Sequence, residues 1–190
     1  MADSNTQPPP SNLRQPSRFI TDHNDQGLAV FNTTIPEPIP AQATGAGPKF
    51  YLGYTTSQTP TDFTDNGDVA SYSRYLADPP GIVIPGGSVC RIVDMPPGSD
   101  SPMHRTVSLD YGVVLEGEIE LVLDSGETRL LKRGDVAIQR GTNHMWTNTS
   151  KTEWGRMLYV LQESKPIEIG GKKLGEDYGV GMGNVKPSGS

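Results

Sequence analysis

The sequence predicts an all-β fold, a jelly-roll barrel built from short antiparallel strands. Two observations carry this prediction. From Gly81 onward, stretches rich in β-branched and aromatic residues recur at short intervals, and glycines or polar turn residues separate them. Helical periodicity is scarce along the chain. Seven or more short strands with glycine-marked turns are typical of a sandwich or barrel, in which closure leaves no long exposed edges.

Composition favours one domain that acts on a small molecule. A chain of 190 residues, 34% of them hydrophobic, can bury a sizeable core. The net charge of -6 without a run of Lys or Arg makes nucleic acid and anionic membranes poor partners. A single cysteine, Cys90, excludes an internal disulfide and fits a reducing compartment. No stretch approaches the roughly 20 apolar residues of a membrane span, so we expect a cytoplasmic protein.

The first 80 residues are predicted to flank the barrel. Residues 1–17, with prolines among polar residues, are expected to form a disordered tail. Residues 18–80 are expected to form an N-terminal extension and an insertion that pack on the barrel. Two strand-like pieces surround the turn residues 24–27, and the aromatic-rich KFYLGYTT predicts a further strand. From Ser57 to Pro80 we expect an irregular insertion with one helical turn near residues 71–76.

The barrel itself is predicted over residues 81–165. Its strands are expected in the stretches GIVIP, SVCRIVDM, SPMHRTVSLDYGVVLEG, EIELVLDSGETRLLK, DVAIQRG, HMWTNTS and GRMLYVLQE. Asp124 to Glu127 is predicted to form a hairpin turn. Residues 166–190 are rich in glycine and are expected to wrap the surface or trail off.

Two of the three histidines lie in short motifs within this region. The first motif reads Gly98, five residues, His104, one residue, Thr106, three residues, Asp110, six residues and a further glycine. The second contains Gly141, two residues, His144, three residues and Asn148. Pairing of the two histidines at these spacings favours a functional site over two separate structural histidines.

Strand geometry predicts that these side chains share one cavity. Residues two apart on a strand point to the same face, which groups His104 with Thr106 and His144 with Trp146 and Asn148. A lumen that is polar on one side and aromatic on the other suits a small ring-containing ligand. On the preceding strand, Arg91 and Asp94 have opposite facing, and one of them is expected to enter the pocket and hold the substrate.

These motifs resemble those of the cupin superfamily, G-x5-H-x-H-x3,4-E-x6-G and G-x5-P-x-G-x2-H-x3-N. The resemblance implies a β-barrel that commonly pairs as a homodimer, needs no nucleotide cofactor, and holds a divalent metal with three histidines and a carboxylate. In this chain Thr106 replaces the second histidine and Asp110 replaces the glutamate. The remaining ligand set, His104, Asp110 and His144, suits Fe2+ or Zn2+ with open coordination positions.

The extended pattern PMHRT-x-SLDYG with QRGTNH-x-W-x-N is similar to single-domain cupins of bacteria and fungi, the latter associated with secondary metabolism. This implies a small-molecule enzyme of polyketide-type metabolism, first a lyase (dehydratase or decarboxylase) or isomerase. His104, His144 and Asp110 are the candidate catalytic residues, with or without the metal. Thr106, Trp146, Asn148 and Arg91 are the candidate substrate-binding residues. The alternatives are an iron-dependent oxidoreductase at the same site and a non-catalytic binding cupin.

Overall fold

The computed structural model describes residues 8–43, 47–179, 186 and 188. Within these residues the chain is mostly strand, with one α-helix. The strands are β1 (Ile20–His23), β2 (Ala29–Asn32), β3 (Ala41–Ala43), β4 (Lys49–Thr56), β5 (Ser88–Met95), β6 (Ser108–Glu116), β7 (Ile119–Leu123), β8 (Thr128–Leu131), β9 (Val136–Arg140), β10 (His144–Asn148), β11 (Gly155–Glu163), β12 (Ile167–Ile169) and β13 (Lys172–Leu174). Helix α1 (Gly67–Ala77) follows a 3-10 turn at Thr64–Asn66.

Two antiparallel sheets form the body of the molecule. The larger has six strands in the order β3-β4-β5-β11-β6-β9, and the smaller has three in the order β10-β7-β8. Apolar side chains from both sheets meet in one buried cluster: Met95, Val114, Ile119, Leu131, Ala137, Trp146 and Met157. Full burial of such a side chain contributes about 1.5–3 kcal/mol, so this cluster holds the layers together. The predicted all-β class is confirmed.

Strand alternation explains how polar groups reach the interior. On β10, His144, Trp146 and Asn148 are buried while the residues between them are partly exposed. On β9, Ala137 and Gln139 are buried between exposed neighbours. Because successive side chains on a strand point to opposite faces, these short strands each direct both apolar and polar groups into the space between the sheets.

The helix is longer than the sequence predicts. One turn near residues 71–76 was expected, and this prediction is wrong, because α1 spans Gly67–Ala77. Val69 and Tyr72 lie three residues apart on one face of the helix and are buried, and the Tyr72 hydroxyl donates a hydrogen bond to the Leu52 carbonyl on β4 at 2.6 Å. Packing on the sheet stabilises a helix whose Asp-, Ser- and Thr-rich surroundings indicate a loop.

The N-terminal extension packs on the same body. Ile35 and Ile39 are buried, and the first belongs to a second core cluster with Leu52, Val69 and Tyr72. Residues 8–17, within the segment predicted as a tail, also make contacts: the Trp154 indole N–H donates to the Pro9 carbonyl at 2.8 Å. Residues 1–7 of that segment lie outside the described residues.

The C-terminal segment begins with the hairpin of β12 and β13 and continues along the body. Arg105 and Asp177 exchange two backbone hydrogen bonds, from Arg105 N to Asp177 O at 2.6 Å and from Asp177 N to Arg105 O at 2.9 Å. In the predicted segment 166–190, residues 180–185, 187, 189 and 190 lie outside the described residues. The described part of the chain contains no helix with the length and apolar character needed to cross a membrane.

Candidate functional site

The two motif histidines meet inside the molecule. His144 opens β10, and His104 lies in the segment before β6. Their backbones exchange two hydrogen bonds, His104 N to His144 O at 2.8 Å and His144 N to His104 O at 2.9 Å. Their ring centroids are 4.3 Å apart with an interplanar angle of 47°. The predicted pairing of these residues is therefore present in the geometry of the fold.

Both rings are held by the same kind of hydrogen bond, to the backbone carbonyl two residues earlier in the sequence. The Nδ1 of His104 lies 2.8 Å from the Pro102 carbonyl oxygen, and the Nδ1 of His144 lies 2.9 Å from the Thr142 carbonyl oxygen. A carbonyl oxygen only accepts hydrogen bonds, so we assign the ring hydrogen of each neutral imidazole to Nδ1. Each ring then keeps an unprotonated Nε2, which can accept a proton or bind a metal.

Burial keeps both imidazoles neutral. His104 is 8% exposed and His144 is 3% exposed. Loss of solvation lowers the pKa of His104, and the same effect together with the neighbouring His104 lowers the pKa of His144 to about 4. Near neutral pH the pair therefore presents two uncharged bases. A proton on one ring opposes a proton on the other, so the pair is suited to accepting one proton at a time.

An aromatic wall adjoins the pair. The Trp146 ring lies edge-on to His144, with centroids 5.6 Å apart, and the Tyr159 ring on β11 lies 5.7 Å from that of Trp146. Aromatic rings in such edge-to-face contact stabilise one another. Trp146 therefore lies beside the pair, as the alternation of β10 predicts.

The carboxyl group lies on the other sheet. Asp110 belongs to β6 of the six-stranded sheet, whereas His144 belongs to β10 of the three-stranded sheet. Asp110 Oδ2 accepts a hydrogen bond from the Thr106 hydroxyl at 3.3 Å, and that hydroxyl accepts one from Ser108 at 2.7 Å. Burial raises the pKa of Asp110 to about 6. Oδ1 has no hydrogen-bond partner among the described residues.

Ser108 and Gln139 belong to this polar group, although the sequence interpretation did not select them. Ser108 lies two residues from both Thr106 and Asp110, so the alternation of the chain could have identified it. Gln139 lies within β9, and its register partner is Asp110. This pairing joins residues of distant motifs, and no local signal reports it.

The predicted metal ligands do not converge as a set of three. Two imidazoles with Nδ1 bound to carbonyls and Nε2 free have the arrangement of metal-ligating histidines. Among the residues the structure describes, however, no three His, Cys, Asp or Glu side chains lie close enough together to hold a metal ion. The Asp110 carboxyl, the predicted third ligand, contacts the Thr106 hydroxyl instead. The donor set in the structure is therefore a pair of histidines.

Asn148 and Arg91, predicted to bind substrate, contact backbone groups. The Asn148 amide lies within hydrogen-bond distance of the carbonyls of residues 95, 96 and 153. Arg91 donates from Nη2 to the carbonyls of residues 80 and 81, at 3.0 and 2.6 Å. Asp94, the other candidate on that strand, is fully buried in an ion pair with Arg156. These contacts are with backbone carbonyls and with Arg156.

A separate cavity of about 370 Å³ lies between the N-terminal extension and α1. Its lining includes Arg18, Tyr54 and Phe63, and it includes none of the residues that the motifs predict. The lining also includes Asp22 and Asp68, whose negative charge is opposite to the positive charge of Arg18. This mixed lining does not specify one class of ligand, so the histidine pair remains the candidate site.

Comparison with known proteins places the site in a recognised domain. The family model described as "Cupin domain" matches residues 91–161, which contain both histidines and Asp110. The chain is 58% identical over 190 residues to "Phomopsin biosynthesis cluster protein D" of Diaporthe leptostromiformis, covering 100% of both chains. It is 40% identical over 174 residues to the "Cupin-domain-containing oxidoreductase srdB" of Neurospora crassa, covering 92% of this chain and 87% of the relative.

Among solved structures, the polyketide cyclase RemF from Streptomyces resistomycificus covers 67% of this chain and 69% of its own, with 21% identity and a TM-score of 0.40. Similarity at this level contributes nothing to the choice of a reaction.

Proposed function

Because this chain belongs to the cupin superfamily and matches a fungal biosynthesis-cluster protein over its whole length, we propose that it is an enzyme of secondary metabolism. Its reaction is the transfer of a proton on a small oxygenated substrate, as in a lyase or an isomerase. His104 and His144 carry this transfer. The site is the space between the two sheets that the pair, Trp146 and the Asp110 carboxyl border.

The observation that carries the proposal is the state of the paired imidazoles. Both rings are buried, both have Nδ1 on a backbone carbonyl, and both have a lowered pKa. An imidazole that is fixed and neutral is unprotonated at neutral pH and is therefore available to accept a proton, and its lowered pKa makes it a weaker base than a solvated imidazole. Depression of the pKa makes the resulting imidazolium a strong acid, which favours return of the proton to the substrate.

The proton step can be written with these groups alone. The Nε2 of one imidazole removes a proton from a carbon next to a carbonyl group of the substrate, and the electron pair of that bond moves into the substrate. The imidazolium then returns the proton. Delivery to a departing hydroxyl group releases water and leaves a double bond, which is a dehydration. Delivery to another carbon of the substrate gives an isomerisation. Both outcomes balance without an oxidant.

Trp146 and Asp110 would orient the substrate. The Trp146 ring beside His144 provides a flat apolar surface for an unsaturated or ring-containing substrate. The free Oδ1 of Asp110 can accept a hydrogen bond from a substrate hydroxyl. Thr106, whose hydroxyl contacts the same carboxyl, would hold that group in place.

An oxidoreductase is the second candidate, because the Neurospora crassa relative is named one. Such a reaction would need an electron acceptor, and a metal bound to His104 and His144 would supply redox chemistry. The described residues provide two histidines for that metal and no third His, Cys, Asp or Glu side chain beside them. A change of two hydrogens or of one oxygen between substrate and product would favour this candidate.

Deletion of the gene tests the choice between a lyase or isomerase and an oxidoreductase. The mass of the compound that accumulates is compared with the mass of the final product. Loss of water, loss of carbon dioxide or unchanged mass would agree with a lyase or isomerase. Reintroduction of the His144→Ala variant should fail to restore the product, while His23→Ala, a change of the exposed histidine on β1, should restore it. Restoration by both variants would exclude the histidine pair as the active site.

A further inference from the structure

The segment that carries His104 lies between two other stretches of chain. On one side, His104 exchanges backbone hydrogen bonds with His144 at 2.8 and 2.9 Å. On the other side, Arg105 exchanges backbone hydrogen bonds with Asp177 at 2.6 and 2.9 Å. Residues 103–105 therefore form the middle of a short three-stranded arrangement, and the outer stretch comes from the C-terminal segment, residues 175–179.

Side-chain and close backbone contacts extend this pairing in both directions. The Nε of Arg105 donates a hydrogen bond to the Gly175 carbonyl at 2.8 Å. At the other end, Gly179 lies so close to Met103 that a Cβ on it would be 2.5 Å from the Met103 carbonyl oxygen. The outer stretch thus contacts both neighbours of His104 in the sequence.

We propose that residues 175–179 position His104: they form the outer strand that presses the 103–105 segment against His144 and so fixes the distance between the two imidazoles. The importance of this positioning for function rests on the proposed role of the histidine pair. The physical reason is that residues 103–105 belong to no regular strand of either sheet and pair with their neighbours only through isolated bridges. Without the outer strand, His104 would be held at its backbone by the His144 bridge.

Two glycines allow a matched test. Gly179 has φ +60 and Gly170 has φ +59, so an alanine carries the same backbone strain at either position. A Cβ at Gly170 meets nothing within 4 Å, whereas a Cβ at Gly179 meets the Met103 carbonyl. Gly179→Ala should therefore displace the outer strand, and Gly170→Ala serves as the control for strain alone.

The readout is the ring spectrum of the histidines in full-length protein labelled with 13C-histidine, without substrate. The chain has three histidines, and the exposed His23 provides an internal reference. In Gly179→Ala we expect the ring signals of His104 and His144 to shift while that of His23 does not. Amide exchange at Arg105 and His104 should accelerate by about tenfold or more. Gly170→Ala should leave all three ring signals and both exchange rates as in the wild type.

Fast exchange at Arg105 with unchanged His104 and His144 ring signals would overturn the proposal, because the outer strand would then be displaced without effect on the pair. Unchanged exchange and unchanged signals would overturn it as well. If Gly179→Ala does not fold, Arg105→Gln replaces it, since this change removes the hydrogen bond to Gly175, with the exposed Arg129→Gln as its control. These spectra involve no reaction, so they stand apart from the gene-deletion test of the proposed function.

Discussion

Asp110 on β6 lies directly opposite Gln139 on β9, and both side chains are buried. The Gln139 amide oxygen accepts a hydrogen bond from Thr142, and the contacts of the carboxyl are with the neutral hydroxyls of Ser108 and Thr106. Asp110 is thus a carboxyl group in neutral polar surroundings. Loss of solvation on burial raises the pKa of Asp110 to about 6, and the hydrogen bonds from hydroxyl groups oppose this rise.

The first prediction concerns the change in the free energy of unfolding with pH. Between the ordinary pKa of 3.8 and about 6, folded protein retains a proton on Asp110 that the unfolded chain releases, so this group's contribution to stability falls as pH rises. Asp110→Asn cannot ionise. The difference in free energy of unfolding between variant and wild type should shift in favour of the variant by up to about 3 kcal/mol from pH 4 to above pH 6.

Urea unfolding at several pH values measures this shift, and Asp124→Asn in an exposed turn is the control. His144 acts in the opposite direction, because its lowered pKa gives stability that is present above pH 6.5 and is lost as pH falls toward 4. Since His144 is unchanged in both proteins, its contribution cancels in the comparison. A difference between Asp110→Asn and wild type that is constant with pH would contradict the raised pKa.

The second prediction concerns catalysis. His104→Ala or His144→Ala removes one member of the pair, and the loss of a general base typically lowers the rate by ~100-fold or more. The fold should remain. Far-ultraviolet circular dichroism checks this, because it reports the sheets. Conversion of the compound that accumulates on gene deletion is the assay. Full activity of both variants, with His23→Ala as reference, would mean that the reaction does not depend on the histidine pair.

The third prediction concerns metal. Thr106 occupies the position of the missing cupin histidine, and its buried hydroxyl contacts Asp110. Thr106→His would add an imidazole, so its zinc affinity should exceed that of the wild-type pair by about tenfold or more. Isothermal titration calorimetry measures this, and Thr106→Val, which has a similar shape without a ligand atom, is the control. Equal zinc affinity in all three proteins would mean that position 106 does not face the histidine pair.

The fourth prediction separates buried from exposed ion pairs. Arg156 holds Asp94 through two hydrogen bonds, of 2.5 and 2.8 Å, and the two side chains are 7% and 1% exposed. Asp94→Ala leaves a buried cation without its partner, which should cost about 3–5 kcal/mol of stability. Glu118→Ala breaks the exposed pair with Lys132 and should cost less than about 1 kcal/mol. Chemical denaturation measures both values, and equal losses would mean that water reaches the Asp94 pair.

Sequence periodicity predicts those parts of the site that depend on neighbours along the chain. His144 and Trp146 face the interior because β10 alternates, and both histidines were identified by their spacing. Features that depend on distant residues could not be predicted in this way. The Asn148 amide binds carbonyls of residues 95 and 96, about fifty positions earlier, and this contact directs it to a loop. Helix α1 likewise depends on the surface of β4, which no local pattern in residues 57–80 reports.

Because His144 and Asp110 lie on different sheets, the packing of the core between the sheets affects the distance between them. Buried apolar side chains such as Ile119 on β7 and Met157 on β11 belong to the core cluster of those two layers. Cores transmit changes in volume because they are closely packed. A larger or smaller side chain at either position would alter the reach across the lumen while every polar group stays the same. Related proteins with identical site residues can therefore differ in the substrates they accept.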